Sequence, residues 1–215
     1  MVEINSIIST NIGELKIVEF LGRGKSGYSY LAEFGNQKLV FKLMHNEENP
    51  YYKFDKNKVE LELKSYEILE SITSNIPKLI DYSIDKNYLV KEFIDGKLAS
   101  NAIAENILQK IHLERLIKLA QECEDLNINI DYFPSNFVIT EDEIFYIDYE
   151  VNEFMKEWSL ENWGIYYWLN SKGFKMFIET NDSSFINSDV QKGIPHKVEF
   201  EEKAKILFAN FNGLK

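Results

Sequence analysis

The feature of this chain that most constrains its fold is a change of hydrophobic period near Asp95-Gly96. Before that point, short runs alternate between apolar and polar residues, as half-buried strands do, and they surround one stretch of helical period. After it, apolar residues recur mostly at helical spacing. A β-rich part followed by a helical part predicts an α+β fold with two lobes that share a cleft. Asp95-Gly96 is the predicted hinge between a domain of residues 1–95 and one of residues 96–215.

The predicted elements follow from these periods and from the turn residues between them. In the first part we expect one helix over 55–71 and strands over 14–20, 29–34, 38–43, 79–84 and 88–94. In the second part we expect one or two helices over 104–126 and short strands over 137–139 and 144–147. The remainder, from residue 160 to 214, is expected to be helical.

Composition limits the classes of function. A hydrophobic content of 45% and a charged content of 27% are those of an ordinary globular protein. The net charge is −11 and only Arg23 and Arg115 are arginines, whereas nucleic-acid-binding proteins carry a basic face rich in arginine. We therefore expect neither a nucleic acid nor an anionic membrane as a partner. The single cysteine, Cys123, excludes an intramolecular disulfide and a cysteine-based metal site, and its place in an apolar helical stripe predicts a core residue.

The N-terminal residues and the lengths of the apolar runs predict a cytoplasmic protein. Glu3 stands where a signal peptide carries basic residues. No uninterrupted apolar run approaches the roughly 18 residues that span a bilayer. We therefore expect a soluble chain.

Three polar residues in the second part form a pattern that fits phosphoryl transfer. Asp131 and Asn136 lie five residues apart, and Asp148 follows an apolar strand. Phosphoryl transfer requires a carboxylate near the acceptor hydroxyl and oxygen ligands that hold Mg²⁺ against the phosphates. This set of side chains contains both.

A glycine cluster lies between two predicted strands of the first part. Gly22, Gly24 and Gly27 have the spacing G-x-G-x-x-G, which also occurs in dinucleotide-binding folds. In those folds the cluster stands between a strand and a helix, whereas here strand-forming residues stand on both sides. The context favours a flexible loop over phosphates, and a glycine-rich hairpin turn without a ligand is the alternative.

A lysine and a glutamate in the first part are candidates for a buried ion pair. Lys42 is flanked by apolar strand residues, and Glu62 shares the apolar helix face of Val59 and Tyr66. A glutamate on a buried face needs a cation, and Lys42 is the obvious one. The pair would hold the α- and β-phosphates of a nucleotide, with Glu62 fixing the position of Lys42. The alternative is a glutamate whose carboxylate reaches the surface.

In order and separation, these elements resemble those of the protein-kinase-like superfamily over roughly residues 14 to 150. The resemblance implies ATP as the phosphoryl donor and the backbone near Glu92 to Ile94 as the site that receives adenine. It also implies that Asp131 is the catalytic base or hydroxyl-orienting group and that Asn136 and Asp148 bind Mg²⁺. The implied fold is bilobal, with a β-rich N-lobe and a reduced, mainly helical C-lobe.

The chain also departs from that family. Asn129 replaces the usual His before Asp131, and Phe133 replaces the Lys that contacts the transferred phosphate in serine/threonine kinases. The triplet Asp148-Tyr149-Glu150 resembles that of aminoglycoside- and choline-type small-molecule kinases. Against this, only 38 residues separate Glu92 from Asp131, which resembles the minimal bacterial and archaeal serine/threonine kinases.

The expected function is therefore ATP- and Mg²⁺-dependent transfer of a γ-phosphate to a hydroxyl acceptor. A serine or threonine of a protein is the first choice of acceptor, and a small-molecule alcohol is the second. A nucleotide-binding pseudokinase that regulates a partner is the alternative of another class, motivated by Asn129 and Phe133. The sequence does not name the acceptor or the oligomeric state.

Overall fold

The computed structural model describes residues 1–45, residue 47 and residues 57–212. Over these residues the chain is a mixed α/β protein with a curled antiparallel sheet and six α-helices. It divides into two compact units, one of Met1–Ile68 with Pro77–Ile94 and one of Leu69–Ile76 with Asp95–Lys215. No helix in the described part of the chain is long and apolar enough to cross a membrane.

The first unit is built on a six-stranded sheet in which all neighbouring strands are antiparallel. In spatial order the strands are β1 (Ile7–Thr10), β2 (Gly13–Arg23), β3 (Gly27–Phe34), β4 (Gln37–Met44), β6 (Tyr88–Glu92) and β5 (Leu79–Ser83). Five of them confirm the predicted strands within a few residues. Two register shifts between β2 and β3 and one between β5 and β6 bend the sheet, because a bulge increases the local twist.

The core of the first unit follows from strand alternation. Successive side chains of a strand point to opposite faces, and one face of β2, β3, β4 and β6 is apolar. Its buried members are Leu15, Ile17, Tyr28, Tyr30, Ala32, Leu39, Phe41, Tyr88 and Val90.

The helix of the first unit, α1 (Lys58–Ile72), confirms the helix predicted over 55–71, although residues 55 and 56 lie outside the described part. Asn57 precedes it, and its side-chain oxygen accepts the backbone N–H of Val59 at 2.9 Å. Such a side chain satisfies a donor that the first helical turn leaves without a partner, which explains why the helix begins here.

The second unit contains five α-helices within the described residues: α2 (Ala99–Ala104), α3 (Lys110–Asp125), α4 (Ile165–Leu169), α5 (Ser171–Thr180) and α6 (Glu201–Asn212). The expectation of one or two helices over 104–126 is met by α3, whereas α2 begins earlier than predicted. A single turn of π-helix, Leu160–Gly164, leads into α4. Cys123 is fully buried in α3, and burial raises the pKa of its thiol to about 12, so the prediction of a core cysteine is confirmed.

Short strands complete the second unit. They are β7 (Lys97–Leu98), β8 (Ile128–Asn129), β9 (Phe137–Ile139), β10 (Ile144–Tyr146), β11 (Asn152–Glu153), β12 (Asn187–Asp189) and β13 (Ile194–Pro195). The predicted strands at 137–139 and 144–147 are confirmed as the antiparallel pair β9–β10. The prediction of helices throughout 160–214 is wrong for β12 and β13, which form an antiparallel hairpin with Gly193 at positive φ.

Candidate functional site

The glycine cluster lies in a tight hairpin between β2 and β3. The Gly24 N–H donates to the Gly27 carbonyl at 2.9 Å, and the His45 N–H donates to the Ser26 carbonyl at 3.1 Å. The cluster therefore joins two antiparallel strands and does not begin a helix, as its sequence context predicted.

The three glycines differ in why glycine is needed. A Cβ at Gly27 would lie 2.6 Å from the Leu43 carbonyl oxygen, so close strand packing requires glycine there. A Cβ at Gly22 would meet no described atom within 4 Å, and one at Gly24 would meet only the Gly27 carbonyl at 3.8 Å. Neither of these two residues has a positive φ. Space is therefore open on the side of each residue where a side chain would lie.

Lys42 of β4 and Glu62 of α1 form the predicted ion pair. Lys42 Nζ lies 2.5 Å from Glu62 Oε1, and the two residues are only 5% and 6% exposed. The alternative of a glutamate whose carboxylate reaches the surface is therefore wrong. A buried pair of this kind carries a large desolvation penalty, so it is weak evidence for a role in stability alone.

Two further polar side chains lie at this pair and escaped the sequence reasoning. The Ser26 hydroxyl donates to Glu62 Oε1 at 2.8 Å, while Glu62 Oε2 finds no hydrogen-bond partner among the described residues. Lys58 is 9% exposed and donates to the His45 carbonyl at 2.5 Å. Burial lowers the pKa of Lys58, and the charge of Lys42 lowers it further. The sequence offered only a hydroxyl in a hairpin and a lysine at a helix start, both of which are commonly solvated.

The end of β6 carries the residues predicted to receive adenine, Glu92 and Ile94. The Glu92 N–H donates to the Lys78 carbonyl at 2.9 Å, and the Glu92 carboxylate accepts the Lys78 N–H at 3.2 Å. The Glu92 N–H is thus already used within the unit. A ligand at this residue would bind through its carbonyl.

In the second unit, Asp131 lies between β8 and a 3₁₀ turn, Pro134–Asn136. Its Oδ1 accepts the Phe133 N–H at 3.1 Å, and its carbonyl accepts Asn136 Nδ2 at 3.3 Å. The Asn136 carbonyl in turn accepts the Ile147 N–H at 2.9 Å, at the residue before Asp148. The sequence places Asp131 and Asn136 five residues apart, and the turn brings them into contact.

Tyr146 joins Asp131 to the segment that contains Asp148. Its hydroxyl accepts the Asp131 N–H at 3.4 Å and donates to the Glu150 carbonyl at 3.1 Å. Burial raises the pKa of Tyr146 well above its usual range, and the carboxylates of Asp148, Asp131 and Glu150 raise it further. Three carboxylates therefore lie close enough to act on one buried hydroxyl. Sequence reasoning missed Tyr146 because an aromatic residue in a short strand fits a plain core equally well.

The donor set fits a hard cation. Carboxylate and amide oxygens are the ligands that Mg²⁺ takes in proteins, and Asp148 and Asn136 supply one of each. The Asn136 Nδ2 donates to the Asp131 carbonyl, so a cation here would be bound through the Asn136 Oδ1. Over the described ranges no group of three His, Cys, Asp or Glu residues is placed to hold a metal, so a site here would include the amide.

At the two positions that depart from the kinase-like pattern, Asn129 makes a hydrogen bond and Phe133 packs against aromatic rings. Asn129 is 4% exposed and its Nδ2 donates to the Met155 carbonyl at 2.8 Å. The Phe133 ring packs edge-on against Tyr167 with centroids 5.0 Å apart, and against Phe174 at 5.8 Å. Both side chains stabilise the loop around Asp131.

Comparison with known proteins gives no family for the chain. No protein-family model matches it, and no curated protein matches it in sequence.

Proposed function

We propose that the chain is an ATP- and Mg²⁺-dependent phosphotransferase of kinase-like fold that transfers a γ-phosphate to a hydroxyl acceptor. The observation that carries the proposal is the buried Lys42–Glu62 pair beside the glycine hairpin. A desolvated ion pair is costly to bury, and replacing such pairs by apolar residues often stabilises a protein. Its presence therefore favours a role in binding an anion over a role in folding.

Each group of the first unit has a distinct part in this proposal. Lys42 provides the positive charge for the α- and β-phosphates, and Glu62 fixes its position. The open space beside Gly22 and Gly24, where a Cβ would meet no described atom at Gly22 and only the Gly27 carbonyl at 3.8 Å at Gly24, receives the phosphate oxygens. The strand order β2-β3-β4-β6-β5 with one helix after β4 supports a kinase-like arrangement for this unit. The carbonyl of Glu92 and the backbone of Ile94 receive the adenine.

The second unit provides the groups for the transfer step. Asp131 accepts the proton of the acceptor hydroxyl or orients that hydroxyl, since its Oδ1 is already positioned by the Phe133 N–H. Asn136 and Asp148 hold Mg²⁺, which would neutralise charge that develops on the phosphate oxygens.

We propose a serine or threonine of a protein as the acceptor and a small-molecule alcohol as the second choice. The segment from Glu92 to Asp131 contains only a helix of 6 residues and one of 16, with no inserted helices to enclose a small acceptor. A nucleotide-binding regulator without turnover is the second candidate function. It is favoured by Phe133, which packs among aromatic rings where serine/threonine kinases place a phosphate-contacting lysine.

The test measures two quantities. Calorimetry gives the affinity for Mg·ATP, and radiolabelled ATP gives the rate of phosphate transfer to the protein itself, to a serine/threonine peptide library and to amino alcohols. Asp148→Ala is expected to reduce transfer at least about a hundredfold, because a metal ligand is removed. Asp142→Ala, at an exposed loop position, is the matched control and is expected to leave transfer unchanged. Absence of Mg·ATP binding would contradict the proposal, whereas binding without transfer would favour the regulator.

A further inference from the structure

The tip of the glycine hairpin is attached to the predicted phosphate-binding pair. Ser26 is the last residue of the tip, Gly24-Lys25-Ser26, and its hydroxyl donates to the same Glu62 oxygen that binds Lys42. The backbone of the tip is also linked to the residue after β4, since the His45 N–H donates to the Ser26 carbonyl and the His45 ring contacts the Gly24 carbonyl at 3.2 Å. The Ser26 hydroxyl thus links the tip to α1.

The pair itself is inaccessible in this state. With Lys42 at 5% exposure, a phosphate oxygen cannot reach Nζ unless some surrounding atoms move. The hairpin tip is suited to move, because only the Gly27 carbonyl oxygen, at 3.8 Å, lies near a Cβ position at Gly24. Glycine without packing restraints is the residue that most readily changes conformation.

We propose that Ser26 is a positioning residue for nucleotide binding, whose hydroxyl holds the hairpin tip on Glu62 until the phosphates of a nucleotide bind. This inference rests on the proposed function, because it takes Lys42 as the phosphate-binding group. Release of the Ser26–Glu62 hydrogen bond is then a step of binding. After this release Glu62 Oε1 still accepts the Lys42 ammonium, so the ion pair persists while the tip moves.

The size of the effect follows from population shift. When only a fraction of molecules has the tip released, the measured affinity for nucleotide is reduced by that fraction. A hydrogen bond to a charged group shifts such an equilibrium by roughly tenfold or more. Removing the hydroxyl is therefore expected to tighten Mg·ATP binding about tenfold, mainly through faster association.

The experiment measures Mg·ATP affinity by calorimetry and association by stopped flow for wild type, Ser26→Ala and Ser26→Thr. Ser26→Ala is expected to bind about tenfold more tightly, and Ser26→Thr, which keeps a hydroxyl, to resemble wild type. Ser9→Ala, at an exposed position of β1, is the matched control and is expected to bind like wild type. Thermal unfolding of each variant establishes that it is folded.

A second comparison tests whether Ser26 acts through Glu62. In a Glu62→Ala background, adding Ser26→Ala is expected to leave the Mg·ATP affinity unchanged, since the acceptor is already gone. Equal or weaker binding by Ser26→Ala in the wild-type background would overturn the inference, as would a persisting tenfold effect without Glu62. If no variant binds Mg·ATP, the proposed function fails instead, and the two failures are thereby distinguished.

Discussion

Replacing Glu62 by Gln should destabilise the first unit by about 3 kcal/mol. The charges of Lys42 and Glu62 are 2.5 Å apart, which corresponds to an attraction of about 6 to 7 kcal/mol at an effective dielectric constant of 20. Desolvation of the two ions offsets much of this attraction in the native protein. Gln keeps the shape and an acceptor for Ser26, so the substitution removes only the charge. The remaining ammonium stays desolvated while its counter-charge at 2.5 Å is lost.

The double variant Lys42→Met/Glu62→Gln separates the cost of a lone charge from the value of the pair. Both ions are absent in it, so the desolvation penalty disappears together with the attraction. We expect its stability to return to within about 1 kcal/mol of wild type. Mg·ATP binding should be weakened but measurable in Glu62→Gln, which keeps the phosphate-binding Lys42, and lost in the double variant, which lacks that charge.

The assay is urea unfolding followed by far-UV circular dichroism and by tryptophan fluorescence. All three tryptophans, Trp158, Trp163 and Trp168, lie in the second unit, so fluorescence reports on that unit. Far-UV dichroism sums over both units, so a transition seen by dichroism and not by fluorescence belongs to the first unit. A loss of about 3 kcal/mol lowers the dichroism midpoint by about 1 to 3 M urea. Glu67→Gln, at an exposed position of α1, is the control. A midpoint for Glu62→Gln equal to that of the control, or a double variant as unstable as the single, would refute the reasoning.

Three further predictions concern other contacts. Gly27→Ala should lower the thermal unfolding temperature, since its Cβ would lie 2.6 Å from a carbonyl oxygen. Gly22→Ala should unfold like wild type, because its Cβ would meet no described atom, but calorimetry should show weaker Mg·ATP binding. Tyr146→Phe should lower the free energy of unfolding by about 1 to 3 kcal/mol and reduce phosphate transfer, because the partly buried Asp131 N–H and Glu150 carbonyl lose their partner. The Tyr28 hydroxyl lowers the pKa of Glu47 below its ordinary value of 4.5, so this stabilisation is present above pH 4.5 and lost as the pH falls below it. Tyr28→Phe should therefore weaken the pH dependence of the urea midpoint between pH 6 and 3.

Strand and helix periods predicted most of the first unit because its elements are long and alternate regularly. β1 was not predicted, since it has four residues and lies at an edge of the sheet with every second residue exposed. The hairpin β12–β13 was predicted as helix because its strands are short and polar. Tertiary contacts hold it: Trp163 Nε1 and the Tyr167 hydroxyl both donate to the Gly193 carbonyl. Local periodicity does not predict contacts between residues that lie far apart in the sequence, such as Trp163 and Gly193.

The candidate site was predictable only where charge required a partner. Glu62 on an apolar helix face needs a cation, and that requirement predicts Lys42 as its partner from the sequence alone. Ser26 and Tyr146 are neutral hydroxyls, which a hairpin or a core strand accommodates without any ligand. Their positions at the site depend on how a loop tip and a strand end are placed in three dimensions.

Asn129 and Phe133, which differ from the kinase-like pattern, bear on whether Asp131 is positioned for phosphate transfer. The Asp131 carboxylate is held by the Phe133 N–H, a backbone group that any residue other than proline supplies at this position. The ring of Phe133 packs against Tyr167 and thereby fixes that backbone, while Asn129 ties the neighbouring segment through the Met155 carbonyl. Asp131 is therefore positioned without the histidine and lysine that the kinase-like pattern has at positions 129 and 133. Phe133→Lys would remove the packing that holds the loop, so phosphate transfer by the wild type that Asp148→Ala abolishes is the result that separates an enzyme from a regulator.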